Sequence, residues 1–334
     1  MSTVALRWLA SLTRRGRPDG QGGPTLTIVR HHRVFADREQ PLYRLGVSEW
    51  VLRAQLRMLA AEGLNPVTVA EGLEHLAHGR GHRVALTFDD GYRDNLTRAL
   101  PLLEQHGARA TFYLTAGWIE RRIVPWWDAV AHALEHTRRT VFDGFAGDPA
   151  PLPLATRQDR VRALDRLAPR FRVAPEERQA RVEELRERLA VDATPACELA
   201  TWDEARALVG TDMEIGAHTM NHPHLTTLPP AEQEREMADS VDLIAARLGV
   251  RPRGLAYPGG DHDARTIDAA GRAGLAHAAT TRAGLNAAGA PRLALLRRGF
   301  SEGTCVGPLG FSRRLALAEL SGAFDGLRAQ QRAS

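Results

Sequence analysis

Thr87-Phe88-Asp89-Asp90-Gly91 sets two adjacent carboxylates directly after the apolar stretch Val84 to Phe88. Carboxylates held side by side near a helix start need a cation or a shared proton, because each disfavours ionisation of the other. The plainer use of such residues is a helix cap followed by a glycine turn. A second block, His218-Thr219-Met220-Asn221-His222, follows another apolar segment, Met213 to Ala217. Two histidines at i and i+4 face one ion when the backbone makes a helical turn, and neutral imidazole suits zinc. Pro223 disfavours helix at His222, so the pair is expected in a turn or loop after the strand. Thr219 stands where an H-E-x-x-H helix carries its glutamate, so the proton acceptor has to come from elsewhere. His-rich turns are often merely exposed. The conjunction of the two blocks, each at the end of a strand, is what points to a metal site with a carboxylate beside it.

Those blocks have to be brought together by the elements around them. The strand-like Leu26 to Val29 is followed by a helical pattern after Ser48 (Val51, Leu52, Leu56, Leu59) with Gly63 as its C-cap. A strand at Pro66 to Val69, a helix from Ala70 to Ala77, the strand Val84 to Phe88, a helix from Asn95 to Gln105 and the strand Arg109 to Leu114 follow. Residues 126 to 200 break the rhythm with few strand signals and two charged helical stretches, Arg157 to Leu167 and Pro175 to Leu189. They read as a helical insertion. Alternation resumes with a helix near Trp202, the strand Met213 to Ala217, a helix from Ala231 to Leu248, the strand Gly254 to Tyr257, a helix from Asp263 to Ala273 and the strand His277 to Thr281. So many units predict an α/β fold with a mostly parallel sheet closed into a barrel, whose catalytic groups gather at strand C-terminal ends. The expected limits are a leader at 1–24, a barrel at 25–310 and a C-terminal helix or tail at 311–334.

Composition removes other classes. A hydrophobic share of 43% and a charged share of 25% over 334 residues belong to a folded globular chain. The net charge of +4 arises without a single lysine, and the 44 arginines mostly sit near acids, so no nucleic-acid partner is expected. Cys197 and Cys305 are isolated, which excludes a disulfide framework and a thiolate zinc site. No apolar run reaches the roughly 18 to 20 residues that span a bilayer. Val4 to Leu12 is short, interrupted by Arg7 and without a cleavage signal, so a cytoplasmic protein is expected, with peripheral contact at the inner membrane face left open. Nothing in the sequence fixes an oligomeric state.

The motifs resemble those of the polysaccharide deacetylases of the NodB-homology family, carbohydrate esterase family 4. T-F-D-D-G at 87–91 and H-T-x-x-H at 218–222 match that family's first two motifs in order. His31-His32-Arg33-Val34, Ala110-Thr111-Phe112-Tyr113-Leu114 and Glu214-Ile215-Gly216-Ala217 resemble three of its strands. The resemblance covers about residues 25 to 300. It implies a distorted (β/α) barrel, often seven-stranded, and a divalent metal, usually zinc, bound by Asp90, His218 and His222 with Asp89 as general base. It further implies hydrolysis of the acetamide of an N-acetylhexosamine in a glycan or glycan precursor. Leu255-Ala256-Tyr257-Pro258-Gly259-Gly260 resembles the third motif, which makes Gly259 the candidate oxyanion donor and Tyr257 a candidate substrate contact.

Two departures stand out. Ala256 occupies the place of the arginine that many members use to hold the base, leaving Arg253, Arg297 or Arg298 to reach Asp89. The L-x-H histidine that serves as general acid has no match, the late strand reading Leu295-Leu296-Arg297-Arg298. His32 is the leading substitute, a structural role being at least as common; His224, His262 and His277 are weaker candidates. Within Trp126-Trp127-Asp128, Trp127 is a candidate sugar platform, although Trp pairs at a helix start are more often packing anchors. Two alternatives accompany the leading reading: a hydrolase of non-sugar amides or cyclic imides with the same metal site, and a catalytically silent glycan-binding protein.

Overall fold

The computed structural model describes residues 23 to 39 and 41 to 325. The expected leader therefore lies, up to residue 22, outside the described residues, as does the tail from residue 326. Seven parallel strands form the barrel: β1 (Thr25–His31), β2 (His82–Phe88), β3 (Ala110–Leu114), β4 (Glu214–Ala217), β5 (Gly254–Ala256), β6 (His277–Ala279) and β7 (Arg297–Gly299). They neighbour one another in chain order from β1 to β6, and β7 pairs with β1. The ring closes where Leu295, just before β7, bridges Ala279 of β6. It is distorted at the β4–β5 seam, where Ala217↔Leu255 is the single register pair. The expected strand at Pro66 to Val69 is corrected: Val67 makes only a bridge to Ala85, and Thr68 instead caps the helix Val69–His78 through a reciprocal capping box with Glu71. A Thr with Glu three residues on favours that cap over strand continuation.

Side-chain alternation sorts the strands into an outer apolar face and an interior that is apolar at its N-terminal end, with Leu26, Ile28 and Ala85, and polar toward the rim. Val29, Val84, Leu86, Phe88 and Phe112 point outward into one core with Val51, Leu52, Leu56 and Leu59 of the helix Glu49–Ala61. The register pairs Ile28 with Arg297 and Arg30 with both Thr87 and Gly299, so these alternate residues face the interior. At the N-terminal end of the barrel the helix Val69–His78 acts as a plug. Its Val69 N–H donates to Thr111 Oγ1 at 2.9 Å and its Ala70 N–H to Glu214 Oε2 at 3.0 Å. Burial works against a charged Glu214, but the hydrogen bond with His277 and these donors hold its carboxyl below the ordinary range. Glu214 and His277 therefore belong to the closed end, leaving the opposite rim for chemistry.

The insertion builds a second, smaller core. The helices Trp126–His136, Arg157–Leu167 and Pro175–Arg188 pool Leu134, Leu164, Leu167 and Leu185 with Phe171 of the turn Ala168–Phe171 and with Phe142 and Leu152 of a short hairpin. Beyond β7, a hairpin at Val306–Phe311 leads to the helix Arg313–Leu320, whose Leu320 carbonyl accepts from Thr27 of β1. Among the described residues no helix is long and apolar enough to cross a membrane.

Candidate metal centre

The first motif turns sharply off β2. Asp90 and Gly91 have φ of +74° and +84°, and in the second motif Thr219 and His222 have φ of +64° and +49°. Three non-glycine residues in the left-handed region cost backbone energy that the surroundings must offset. The two turns brace each other and the helices beside them: Thr115 N–H donates to the Asp90 carbonyl, Ala116 N–H to the Thr219 carbonyl, and His222 N–H to Thr219 Oγ1. Glu236 accepts from the backbone of Met220 and Asn221 at 3.0 and 2.8 Å. The histidine pair lies in a turn after β4, as the Pro223 argument requires.

These turns converge three side chains. Asp90 Oδ1 is 3.4 Å from His218 Nε2 and 3.6 Å from His222 Nε2, and the possible ligand atoms of all three residues lie within 4.8 Å of one another. Asp90 is 1% exposed, yet neither carboxylate oxygen has a hydrogen-bond partner. A buried carboxylate without donors is costly and calls for a cation. The histidines are prepared for one. His218 Nδ1 donates to the Ala256 carbonyl at 2.6 Å, which turns the Nε2 lone pair toward Asp90. His222 is stacked on Trp118 and meets Trp127 edge-on, with centroids 5.1 and 5.0 Å away, and its carbonyl accepts from Arg178 at 3.2 Å. Burial pushes the His222 imidazole down to about 3, so it is in the neutral, ligating form at pH 7. An N,N,O donor set with one carboxylate fits a divalent metal and suits zinc.

Asp89 is beside this cluster but engaged differently. Its Oδ1 accepts from Arg297 Nη1 at 2.6 Å, and its Oδ2 lies 3.9 Å from His32 Nε2. Burial opposes its charge, yet the Arg297 guanidinium holds the Asp89 carboxyl well below the usual carboxylate range. Of the three arginines named from sequence, Arg297 is the one that reaches it. Arg298 points to the other face of β7, toward Glu319 and Asp325, as strand alternation demands. Arg253 lies on the exposed approach to β5, its carbonyl accepting from Ala276.

The remaining expected residues are scattered. His32 joins the site, its imidazole pushed down to about 4 by burial. Gly259 sits in the turn after β5 at φ +63°, beside His224. Tyr257 is fully buried, its hydroxyl donating to the Leu293 carbonyl and its ring stacked on His262, and so presents no face to a sugar. Trp127, 6% exposed, packs against His222 and donates through Nε1 to Tyr92 Oη, an anchoring position in place of an open platform. His224 pairs with Asp261, His262 bonds the Gly260 carbonyl, and His277 is at the plugged end.

Sequence reading passed over several neighbours. Arg30, Tyr92, Trp118 and Arg178 come from separate elements and carry no motif. Tyr92 donates to Asp128 Oδ2 at 2.9 Å, and burial pushes the Asp128 carboxyl up to about 6 despite nearby Arg33. A folded-state pKa above the unfolded value means stability present below about pH 4 and lost as pH rises through about 6. Asp128→Asn is expected to raise stability on the order of 2 kcal/mol at pH 8, with the gain vanishing near pH 4. Urea melts at both pH values check it; an equal effect at the two would refute the assignment.

Comparison with known proteins bears on the family and the fold. The family model described as polysaccharide deacetylase matches residues 77–278. A curated relative, "Putative polysaccharide deacetylase YxkH" of Bacillus subtilis (strain 168), is 29% identical over 262 residues, covering 78% of this chain and 65% of the relative. The chain thus spans less than two thirds of that relative's length. In solved structures, the fold is shared with "Streptococcus pyogenes deacetylase PplD in complex with acetate" at TM-score 0.60 and 20% identity, over 90% of this chain and 99% of that one. IcaB from Ammonifex degensii gives TM-score 0.55 and 20% identity, over 90% and 98% of the two chains.

Proposed function

The chain belongs to the polysaccharide deacetylase family, and from that premise we propose that it removes N-acetyl groups from an N-acetylhexosamine-containing glycan or glycan precursor, with a divalent metal, most simply zinc, held by Asp90, His218 and His222. The observation that carries the reading is the buried Asp90 carboxylate, bare of hydrogen bonds and facing two histidines, next to a second carboxylate already fixed by Arg297. A bound divalent cation would polarise the acetyl carbonyl and acidify water at this rim.

The chain's own groups do the rest. Asp89, kept anionic by Arg297, accepts a proton from the attacking water as its oxygen adds to the acetyl carbon. The Gly259 N–H, aimed from a left-handed turn, is the candidate donor to the developing oxyanion. Collapse breaks the carbon–nitrogen bond, and the departing amine needs a proton. His32 is neutral at pH 7 and lies 3.9 Å from Asp89, so the proton taken up by Asp89 has a short route to the amine through His32. The products are acetate and a free hexosamine amine. The silent-binder alternative rests on the missing acid histidine and the missing arginine, and Arg297 supplies the second of these.

The test is acetate release from N-acetylglucosamine oligomers, sugar nucleotides and lipid-linked glycans, using chelated protein with and without added zinc. Release that requires metal is expected. Stoichiometric metal binding with no release from any glycan would transfer the site to non-sugar amides.

A further inference from the structure

A groove of about 770 Å³ runs between the insertion helix Pro175–Arg188 and the short helix Ala116–Arg121 that follows β3. That volume is within the range of ordinary ligand sites, about 300 to 1,000 Å³. The groove neighbours the metal centre through shared walls: Trp118, stacked on His222, and Asn221, the residue before His222, both line it. Half-buried Trp126 adds a second aromatic wall.

The groove carries an excess of positive charge. Arg121, Arg122, Arg178 and Arg186 all line it, against two acids, Glu176 and Glu183. Other arginines of the same helix sit on a carboxylate, Arg181 on Glu177 and Arg188 on Glu184. Among the described residues these four do not. Arg122 donates to the carbonyls of Ala200 and Cys197, and Arg186 to the Asp192 carbonyl and Thr194 Oγ1. Arg121 donates to the side-chain oxygen of Asn221. Buried Arg178 donates to the carbonyls of Phe171, Val173 and His222. Neutral oxygens fix Arg122, Arg178 and Arg186 in place without cancelling their charge, whereas Arg121 shares its charge with the nearby carboxylates of Glu120 and Glu236.

We propose that this groove is a subsite for an anionic glycan, binding carboxylate or phosphate groups on sugars that flank the one delivered to the metal centre. Fixed guanidinium groups suit carboxylate and phosphate, and the half-buried Trp126 offers an aromatic surface to a sugar ring. The inference rests on the deacetylase reading for the nature of the ligand, but binding is read separately from acetate release.

Calorimetric titration of the zinc-loaded full chain would compare three probes: a neutral N-acetylglucosamine tetramer, an oligomer alternating N-acetylglucosamine with glucuronate, and an N-acetylglucosamine oligomer bearing a terminal phosphate. At least one anionic probe is expected to bind about tenfold tighter than the neutral one at about 0.05 M salt, with the advantage shrinking at about 0.5 M. Which anionic probe gains separates uronate from phosphate. Arg121→Gln with Arg186→Gln, both at the surface of the groove, is expected to remove that advantage and leave neutral binding unchanged. Equal affinity for neutral and anionic probes, an unaffected double variant, or inorganic phosphate binding as well as the glycans would overturn the proposal. Anionic binding without turnover on any probe would keep the subsite and sink the deacetylase reading instead.

Discussion

Asp89→Asn will bind zinc with the affinity of the parent and release acetate roughly 10² to 10⁴ times more slowly, the range that a positioned general base contributes. The prediction follows from the division of labour between the adjacent carboxylates. Asp90 faces His218 and His222, whereas Asp89 spends one oxygen on Arg297 and leaves the other toward His32. Asparagine keeps the shape and still accepts from Arg297, but it cannot take a proton at neutral pH. The substitution also strips the counter-ion from a guanidinium that is itself buried, and an uncompensated buried charge costs about 3 to 5 kcal/mol. Lower stability must therefore be separated from lower turnover. Adding Arg297→Met to Asp89→Asn removes the stranded charge, and the double variant is expected to recover part of the thermal stability and none of the activity. Activity within tenfold of the parent in folded Asp89→Asn would remove Asp89 as base. Loss of zinc from the same variant would mean that the two carboxylates share the metal.

The distribution of these roles shows what a sequence displays and what it withholds. Adjacent acids and a spaced histidine pair are legible because metal chemistry restricts residue types, and each block follows an apolar strand that announces itself. The first six barrel strands were legible for the same reason, being buried runs such as Val84 to Phe88 and Ala110 to Leu114. The seventh was harder. β7 is three residues long and two of them are arginines, so the resemblance, through Leu295-Leu296-Arg297-Arg298, marks it where no apolar run of its own does. Its alternation nonetheless decides the site, since register with β1 turns Arg297 inward to Asp89 and Arg298 outward to Asp325. Sequence narrows the partner of Asp89 to three arginines, and only the pairing selects one. Pro66 to Val69 failed in the opposite sense, because local capping by Thr68 and Glu71 outcompetes a strand that has one bridge to gain. Trp118, Trp127 and Arg178, which clamp His222 from three elements, have no common sequence signal at all.

The same clamp sets the expectation for the metal. Zinc added to chelated parent should raise its melting temperature by several degrees, since ligand at a hundredfold excess over Kd stabilises by about 2.7 kcal/mol. In His222→Ala the zinc-dependent rise should disappear, along with all metal-dependent acetate release. One of three protein ligands is gone, a larger loss than the 10- to 100-fold in affinity that removal of an outer-sphere partner costs. Asp90→Asn gives the sharper contrast. It too should lose the zinc response, yet its metal-free form should be more stable than metal-free parent. The parent buries an Asp90 carboxylate with no donor on either oxygen, whereas the amide is neutral and asparagine tolerates the left-handed φ at this position. A gain on the order of 1 to 3 kcal/mol, the usual penalty for an unsatisfied buried polar group, is the scale to look for in urea melts with chelator present. If Asp90→Asn were instead less stable than the chelated parent, the carboxylate would be contributing to the fold without metal. Asp90 would then be a structural turn residue. If both variants kept the zinc response, the ion would sit elsewhere, and the division between base and ligand drawn for the adjacent carboxylates would fall with it.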